Sequence, residues 1–380
     1  MEMPNAATAK SKTMHSSWAM IFSPLSAQAW LFIALLLLVI ITPVVAASYG
    51  AADLPMSQVL RILLVPIVGQ DSAVYLTTYS FMTPFDSTHN SNIAERIVFE
   101  LRLPRILLAF IAGAGLAISG SVLQTVTRNP LADPFLFGIS SGASLGAVIA
   151  MSALSVLGLE LSGIGGWLSV PIGAFIGASA ASLMVLGMAG TNVNSQTERM
   201  LLSGVAITFM FGAMTSLILY FSSPQATASV LFWSMGSFAK ASWSSLWMPA
   251  IVVVSGIGVI MAMKRQILAM LAGDETAHTL GIPVARVRLA MLLLCSLITA
   301  IIVAHCGGIG FVGLMIPHIV RLLFPGRYPI MITAIAGGLF MIWVDVFARS
   351  LMDNQELPVG IITSVIGSLF FLIVLRRRRR

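Results

Sequence analysis

Charged side chains are rare in this chain, so each one near an apolar run is a candidate for chemistry. Asp345 and Arg349 stand at positions i and i+4 of the apolar run 329–350. That spacing puts them on one helix face in the favourable order for an ion pair, acid before base. Arg102 and Arg105 bracket Leu103-Pro104 just ahead of another apolar run. Two readings stay open for them. They snorkel to the interface and anchor a helix, or their planar guanidiniums pair with carboxylates on a partner. Asp345 sits late in its run rather than at the bilayer midplane. It is therefore not the mid-membrane carboxylate that a proton or sodium relay asks for, and another energy source is implied.

Other chemistry is missing from the sequence. There is no G-x-x-x-x-G-K-[ST] phosphate loop, no H-E-x-x-H and no C-x-x-C. His15, His89, His278, His305 and His318 are scattered, with no pair at a cofactor-clamping spacing. Cys295 and Cys306 lie in one apolar segment and read as buried, inert thiols. One polar stretch between apolar runs stands out, residues 264–287. It predicts one and a half short helices broken at Gly273 and stopped at Gly281 and Pro283. It is a plain connection, or a short helix that sits in a groove of a cytosolic partner and passes on its motion.

The elements that must hold these residues follow from composition. Of 380 residues, 58% are hydrophobic and 9% charged, with mean hydropathy +0.96. A soluble domain carries about 25% charged residues, so most of this surface faces lipid. Long unbroken apolar runs such as 31–47 and 361–375 exclude a β-barrel, whose strands alternate in polarity. The expected class is an all-α polytopic membrane protein. Ten segments are predicted, at 30–48, 104–126, 134–156, 168–190, 199–221, 243–263, 288–306, 311–324, 329–350 and 358–375. The eighth is short and glycine-rich, and is not expected to cross as a plain helix.

The net charge of +7 reads as loop charge that sets orientation, not as a nucleic-acid signal. Lys10, Lys12, Arg128, Lys264, Arg265, Arg286, Arg288, Arg321, Arg327 and Arg376 to Arg380 fall on one side, and most acidic residues on the other. Both termini are thus expected in the cytoplasm, with 1–29 a tail rather than a cleaved signal and 376–380 a basic tail. Residues 49–101 are expected to form a long outer segment too polar at its ends to span. Glycines recur inside the apolar runs, among them Gly113, Gly115, Gly120, Gly138, Gly142, Gly146, Gly173 and Gly177. They predict tight helix packing, in a bundle able to rock between two states.

These residues also carry a resemblance. Leu101-Arg102-Leu103-Pro104-Arg105, Gly113 to Gly120, Gln124 and Asn129-Pro130-Leu131-Ala132-Asp133-Pro134 are similar to the FecCD-type permeases. So are Trp233 to Ser237, Leu280-Gly281, Gly308 to Arg321 and Glu356 to Gly360. The resemblance spans about 30–375. That family comprises membrane subunits of importers for iron–siderophore complexes, haem and vitamin B12. The resemblance implies a type II ABC importer permease bundle of ten helices, paired with a second permease subunit, an identical copy or a relative. It implies two cytoplasmic ATP-binding subunits, which hold the ATP and Mg2+, and a periplasmic substrate-binding protein. No cofactor, catalysis or nucleic acid is expected on this chain, and its place would be the bacterial inner membrane.

Residue by residue, the resemblance makes Arg102, Arg105 and Arg349 docking arginines for the binding protein. It places Leu271, Gly273, Glu275, Ala277, Leu280 and Gly281 in the coupling helices on the ATPase. It places Thr208, Phe209, Met210, Phe211, Trp233, Met235, Pro358 and Thr363 along the pathway and outer gate. The long segment 49–101 and Lys240 in the gate turn depart from the compact family pattern. The cargo is expected to be an iron chelate, a ferric siderophore or haem, with vitamin B12 as the alternative. Two other classes compete: an ion-coupled secondary carrier, and a haem or quinone enzyme using His305, His318 and methionines.

Overall fold

A computed structural model describes residues 27–50, 54–68, 93–156, 164–189, 196–324, 330–352 and 355–378. Most of the expected N-terminal tail, residues 69–92 of the outer segment, Arg327, Asp353, Arg379 and Arg380 lie outside the described residues. The described residues form helices and connections, with no strand among them.

The helices are α1 (Ala27–Ser48), α2 (Met56–Val68), α3 (Leu103–Val126), α4 (Ile139–Val156), α5 (Ile164–Ala189), α6 (Gln196–Tyr220) and α7 (Pro224–Ser234). They continue with α8 (Trp243–Ala262), α9 (Lys264–Leu271), α10 (Asp274–Thr279), α11 (Val284–Cys306), α12 (Val312–Leu323), α13 (Ile330–Ser350) and α14 (Val359–Arg378). Among them α1, α3, α5, α6, α8, α11 and α13 are long and apolar enough to cross a bilayer. The apolar parts of α4, α12 and α14 are shorter. Together these match the ten predicted segments. As expected, α12 is only 12 residues long. That is roughly 18 Å, well short of a bilayer core about 30 Å thick.

Two expectations shift. Residues 49–101 were expected as a long outer segment that does not span. Part of it is the helix α2, packed on α1, with Val59 fully buried. At 13 residues it is too short to span. The helix expected at 104–126 is present as α3, and a helical path not expected from the sequence leads into it from Ile93 through a π-helical turn, Ile97–Arg102. Pro104 does not stop it, because proline is tolerated where the preceding turn is wide and the missing N–H has no partner to lose.

α3 is the most buried of the long apolar helices among the described residues. It packs against α8, α11, α12 and α13. Glycines allow this closeness. A Cβ on Gly113 would lie 2.1 Å from the carbonyl oxygen of Gly337 on α13, and one on Gly120 would lie 1.8 Å from that of Gly313 on α12. Gly146 on α4 meets the Gly173 carbonyl of α5 at 1.9 Å in the same way. With little hydrophobic drive between helices in lipid, such van der Waals contact is what holds them.

Gly120→Ala forces backbone apart and should cost about 1–3 kcal/mol. Gly258→Ala, where a Cβ meets nothing within 4 Å, should be neutral or gain about 0.5–1 kcal/mol. Thermal unfolding in detergent, followed by monodispersity, compares the two. A second test concerns Asp133, which caps the 3-10 turn Pro134–Phe137 by accepting the Phe135 N–H at 2.8 Å. Burial pushes its carboxyl up to about 6. The folded chain therefore holds that proton more tightly than the unfolded one, and this group's stabilising effect fades as pH rises from 4 through 6. Asp133→Asn should melt above the parent at pH 8, with the gap closing towards pH 4.

Candidate functional site

Among the described residues the ion pairs gather at the two ends of α3. At its start, Arg105 reaches α13. Its Nε donates to Asp345 Oδ1 and Oδ2 at 2.9 and 3.0 Å, and its Nη2 to Oδ1 at 2.8 Å. Its remaining edge turns outward, and Nη1 donates to Glu356 Oε1 at 2.9 Å. The Asp345 side chain is 1% exposed and that of Glu356 44%. The predicted pair of Asp345 with Arg349 is present at 3.6 Å.

Arg102 and Arg349 turn inward. Arg349 Nη2 donates to the Ala46 carbonyl at 2.8 Å. Arg102 Nη1 donates to the carbonyls of Ala47 and, at 3.1 Å, Ser48. These carbonyls end α1 and have no partner within the helix. Two cations there also suit the negative end of its dipole. The three arginines expected at the docking face thus come together, two of them buried and one half-turned to the surface. What the spacing along the sequence did not reveal is the bond from Arg105 across to Asp345 and Glu356, since those partners lie some 240 to 250 residues away.

The predicted gate residues form a knot beside this cluster. The turn after α7 bonds to the ends of α11 and α14 through backbone alone: Ser237 N–H to Cys306 O at 2.8 Å, and Gly308 N–H to Ser234 O at 3.2 Å. Val359 N–H and Gly360 N–H donate to Gly236 O and Met235 O, each at 3.0 Å. Gly307, at φ +74°, leaves room there: a Cβ would sit 2.1 Å from Trp233 O. Trp233, Met235 and Pro358 lie in or against this knot, and buried Thr363 follows on α14. Lys240 is exposed a few residues beyond. Thr208, Phe209, Met210 and Phe211 form a separate group on α6, which packs on α4 and α5. Phe209 and Met210 are exposed, and Phe211 is buried.

At the other end of α3, α9 and α10 form the predicted pair of short helices. Gly273 breaks them at φ +116°, a conformation suited to glycine. Ile267, Met270 and Ala277 are buried beneath, while Leu271, Glu275, Leu280 and Gly281 face out. Asp274 fastens the pair. It accepts from Arg288 Nη2 at 2.8 Å and lies 3.4 Å from Arg128 Nη2. Arg288, 3% exposed, also donates Nε to the Val126 carbonyl at the end of α3. Asp274 and Arg288 were not singled out by the sequence, although an acid opening a short helix was its local signal. Nearby, Gln124 of α3 donates to Gly313 O at 3.1 Å and accepts from Arg321 Nη2 on α12.

The histidines named for an enzyme sit apart. His305 Nδ1 is 2.9 Å from the Ile301 carbonyl of its own helix, and the His318 ring stacks edge-on to Phe370. Cys295 and Cys306 are free and buried.

The chain is similar to known proteins in sequence and in fold. The model of the FecCD transport family matches residues 35–377. The cobalamin import system permease protein BtuC of Halobacterium salinarum is 41% identical over 287 residues, covering 75% of this chain and 74% of that one. The hemin transport system permease protein HmuU of Yersinia pestis is 34% identical over 328 residues, covering 84% and 95%. An inward-facing ABC transporter of metal-chelate type superposes with a TM-score of 0.73 at 28% identity, over 91% of this chain and 99% of the other. With a match running through α1 to α14 and the same helical bundle beneath it, the chain belongs to the FecCD transport family.

Proposed function

We propose that this chain is the multi-pass permease subunit of an ATP-driven importer for a metal chelate. The family assignment supports the class, and one observation carries the mechanism. The buried helix α3 is fastened at one end to Asp345 and Glu356 and at the other to the Asp274 element. A helix of 24 residues is about 36 Å long and stiff. Motion imposed on α9 and α10 therefore reaches the opposite face without unfolding anything between.

In this reading two permease chains, identical or related, enclose the pathway in a cytoplasmic membrane with both termini inside. Each holds one ATP-binding subunit through the exposed face of α9 and α10, where Leu271 and Leu280 present apolar surface to water. ATP and Mg2+ act on those partner chains. A binding protein docks at the Arg102, Arg105 and Arg349 end. The gate knot is held by backbone bonds and small residues, so it can slide with little side-chain repacking. The exposed apolar side chains Phe209, Met210 and Met235 offer a cargo no tight polar site, which favours release over retention.

The cargo we propose is an iron chelate, haem or a ferric siderophore. The haem relative, matched over most of both chains, supports it. A second reading is cobalamin, favoured by the identity with the archaeal cobalamin permease.

The decisive test is uptake by the reconstituted complex in liposomes with haem, a ferric siderophore or cobalamin. One cargo should enter, only with ATP. Entry that persists without nucleotide and follows a proton gradient would replace this reading with a secondary carrier. Arg105→Glu should cut binding-protein-stimulated ATP hydrolysis at least about tenfold, because charge reversal at a docking site costs upwards of 1.4 kcal/mol. Leu271→Asp with Leu280→Asp should release the ATPase subunits on size-exclusion chromatography and leave the permease monodisperse.

A further inference from the structure

Arg105 uses its guanidinium in two unequal halves. Nε and Nη2 grip Asp345, which is buried, so the head is fixed in place. Nη1 holds Glu356, whose side chain is nearly half exposed. The half-exposed Glu356 carboxylate is the more weakly held half of the arrangement, because water competes for it as it cannot for buried Asp345. It is also the half that another carboxylate could take, since the fork geometry that suits Glu356 suits any acid.

Glu356 is placed to make that exchange matter. Leu357 N–H bonds to Ala348 O of α13 at 2.9 Å, and Val359 and Gly360 donate to Gly236 and Met235 in the gate knot. The chain between the Arg105 contact and the knot is thus three residues long. Releasing Glu356 removes one of two ties at the start of a short strap, the Leu357 N–H bond to Ala348 being the other, and the strap's far end closes the turn after α7.

We propose that Arg105–Glu356 is an internal clasp in which Glu356 stands in for a partner's carboxylate, and that an acidic docking surface displaces it and loosens the gate strap. The partner's chemistry follows: a surface carboxylate that reaches the Nη1 edge of Arg105, with Asp345 left in place. This rests on the reading of that face as the binding-protein dock. Arg102 and Arg349 cap α1 in this state, and Arg105 is the arginine that exchanges. The clasp lowers apparent affinity for the partner, because a site occupied by its own side chain is only partly competent.

The test uses the complete complex in lipid nanodiscs and the purified binding protein that stimulates its uptake. Glu356→Gln removes the competing charge and should tighten binding by about fivefold, while Glu356→Asp, which keeps it, should bind like the parent. Nitroxides at Glu95→Cys and Gln355→Cys, both exposed, report the strap by pulsed electron resonance. Without partner, Glu356→Gln should show the distance distribution that the parent shows with partner bound. Equal affinities for all three chains, or distributions that do not change on docking, overturn the clasp and leave the dock intact. Failure of the binding protein to bind parent and variants alike overturns the dock, and the clasp with it.

Discussion

A guanidinium at the edge of hydrocarbon must find acceptors inside the protein, because lipid offers none and water reaches it only from one side. Arg105 meets this demand with Asp345 and Glu356, and the rest of the architecture can be followed outward from that bond. It ties the start of α3 to the end of α13 and to the residues that lead into α14. Arg102 and Arg349 meet the same demand differently, by taking the last carbonyls of α1. The polar groups at this end of α3 therefore become one network, shared by α1, α3, α13 and the connection into α14.

The other end of α3 repeats the solution. Arg288 is buried, so it too must be satisfied within the chain, and it bonds both the Asp274 carboxylate and the Val126 carbonyl. Breaking one partner of a buried pair strands a charge, which costs far more than the pair itself contributes. Such contacts resist loss and so transmit position. Between the two ends the helices touch through glycine, where no side chain has to be repacked for one backbone to move along another. Rigid, satisfied ends and a smooth middle are what a rocking bundle needs.

His305 bonds its own helix, His318 stacks on Phe370, and Asp345 is committed to arginines. A carrier that couples to ions needs a carboxylate free to change protonation at the midplane. Here Asp345, Glu356 and Asp274 are held in ion pairs near one end of α3 or the other.

Local physics made much of this legible in the sequence by itself. Apolar runs of helix length had no solvent but lipid, so the ten segments, the short eighth one and the breaks at Gly273 and Gly281 could be read directly. The pair of Asp345 with Arg349 was legible because i and i+4 share a helix face. The family motifs marked which residues to watch. Tertiary structure alone decided the rest. The π-turn that carries α3 back to Ile93, and the amphipathic α2 inside the expected outer segment, are set by packing on α1 and α8 rather than by hydropathy. Arg105 with Glu356, Arg288 with Asp274 and Val126, and Gly307 against Trp233 join residues with no periodic relation. Chain spacing encodes only neighbours along a helix. Which distant charge satisfies which is fixed when the bundle closes and excludes both lipid and water from the choice.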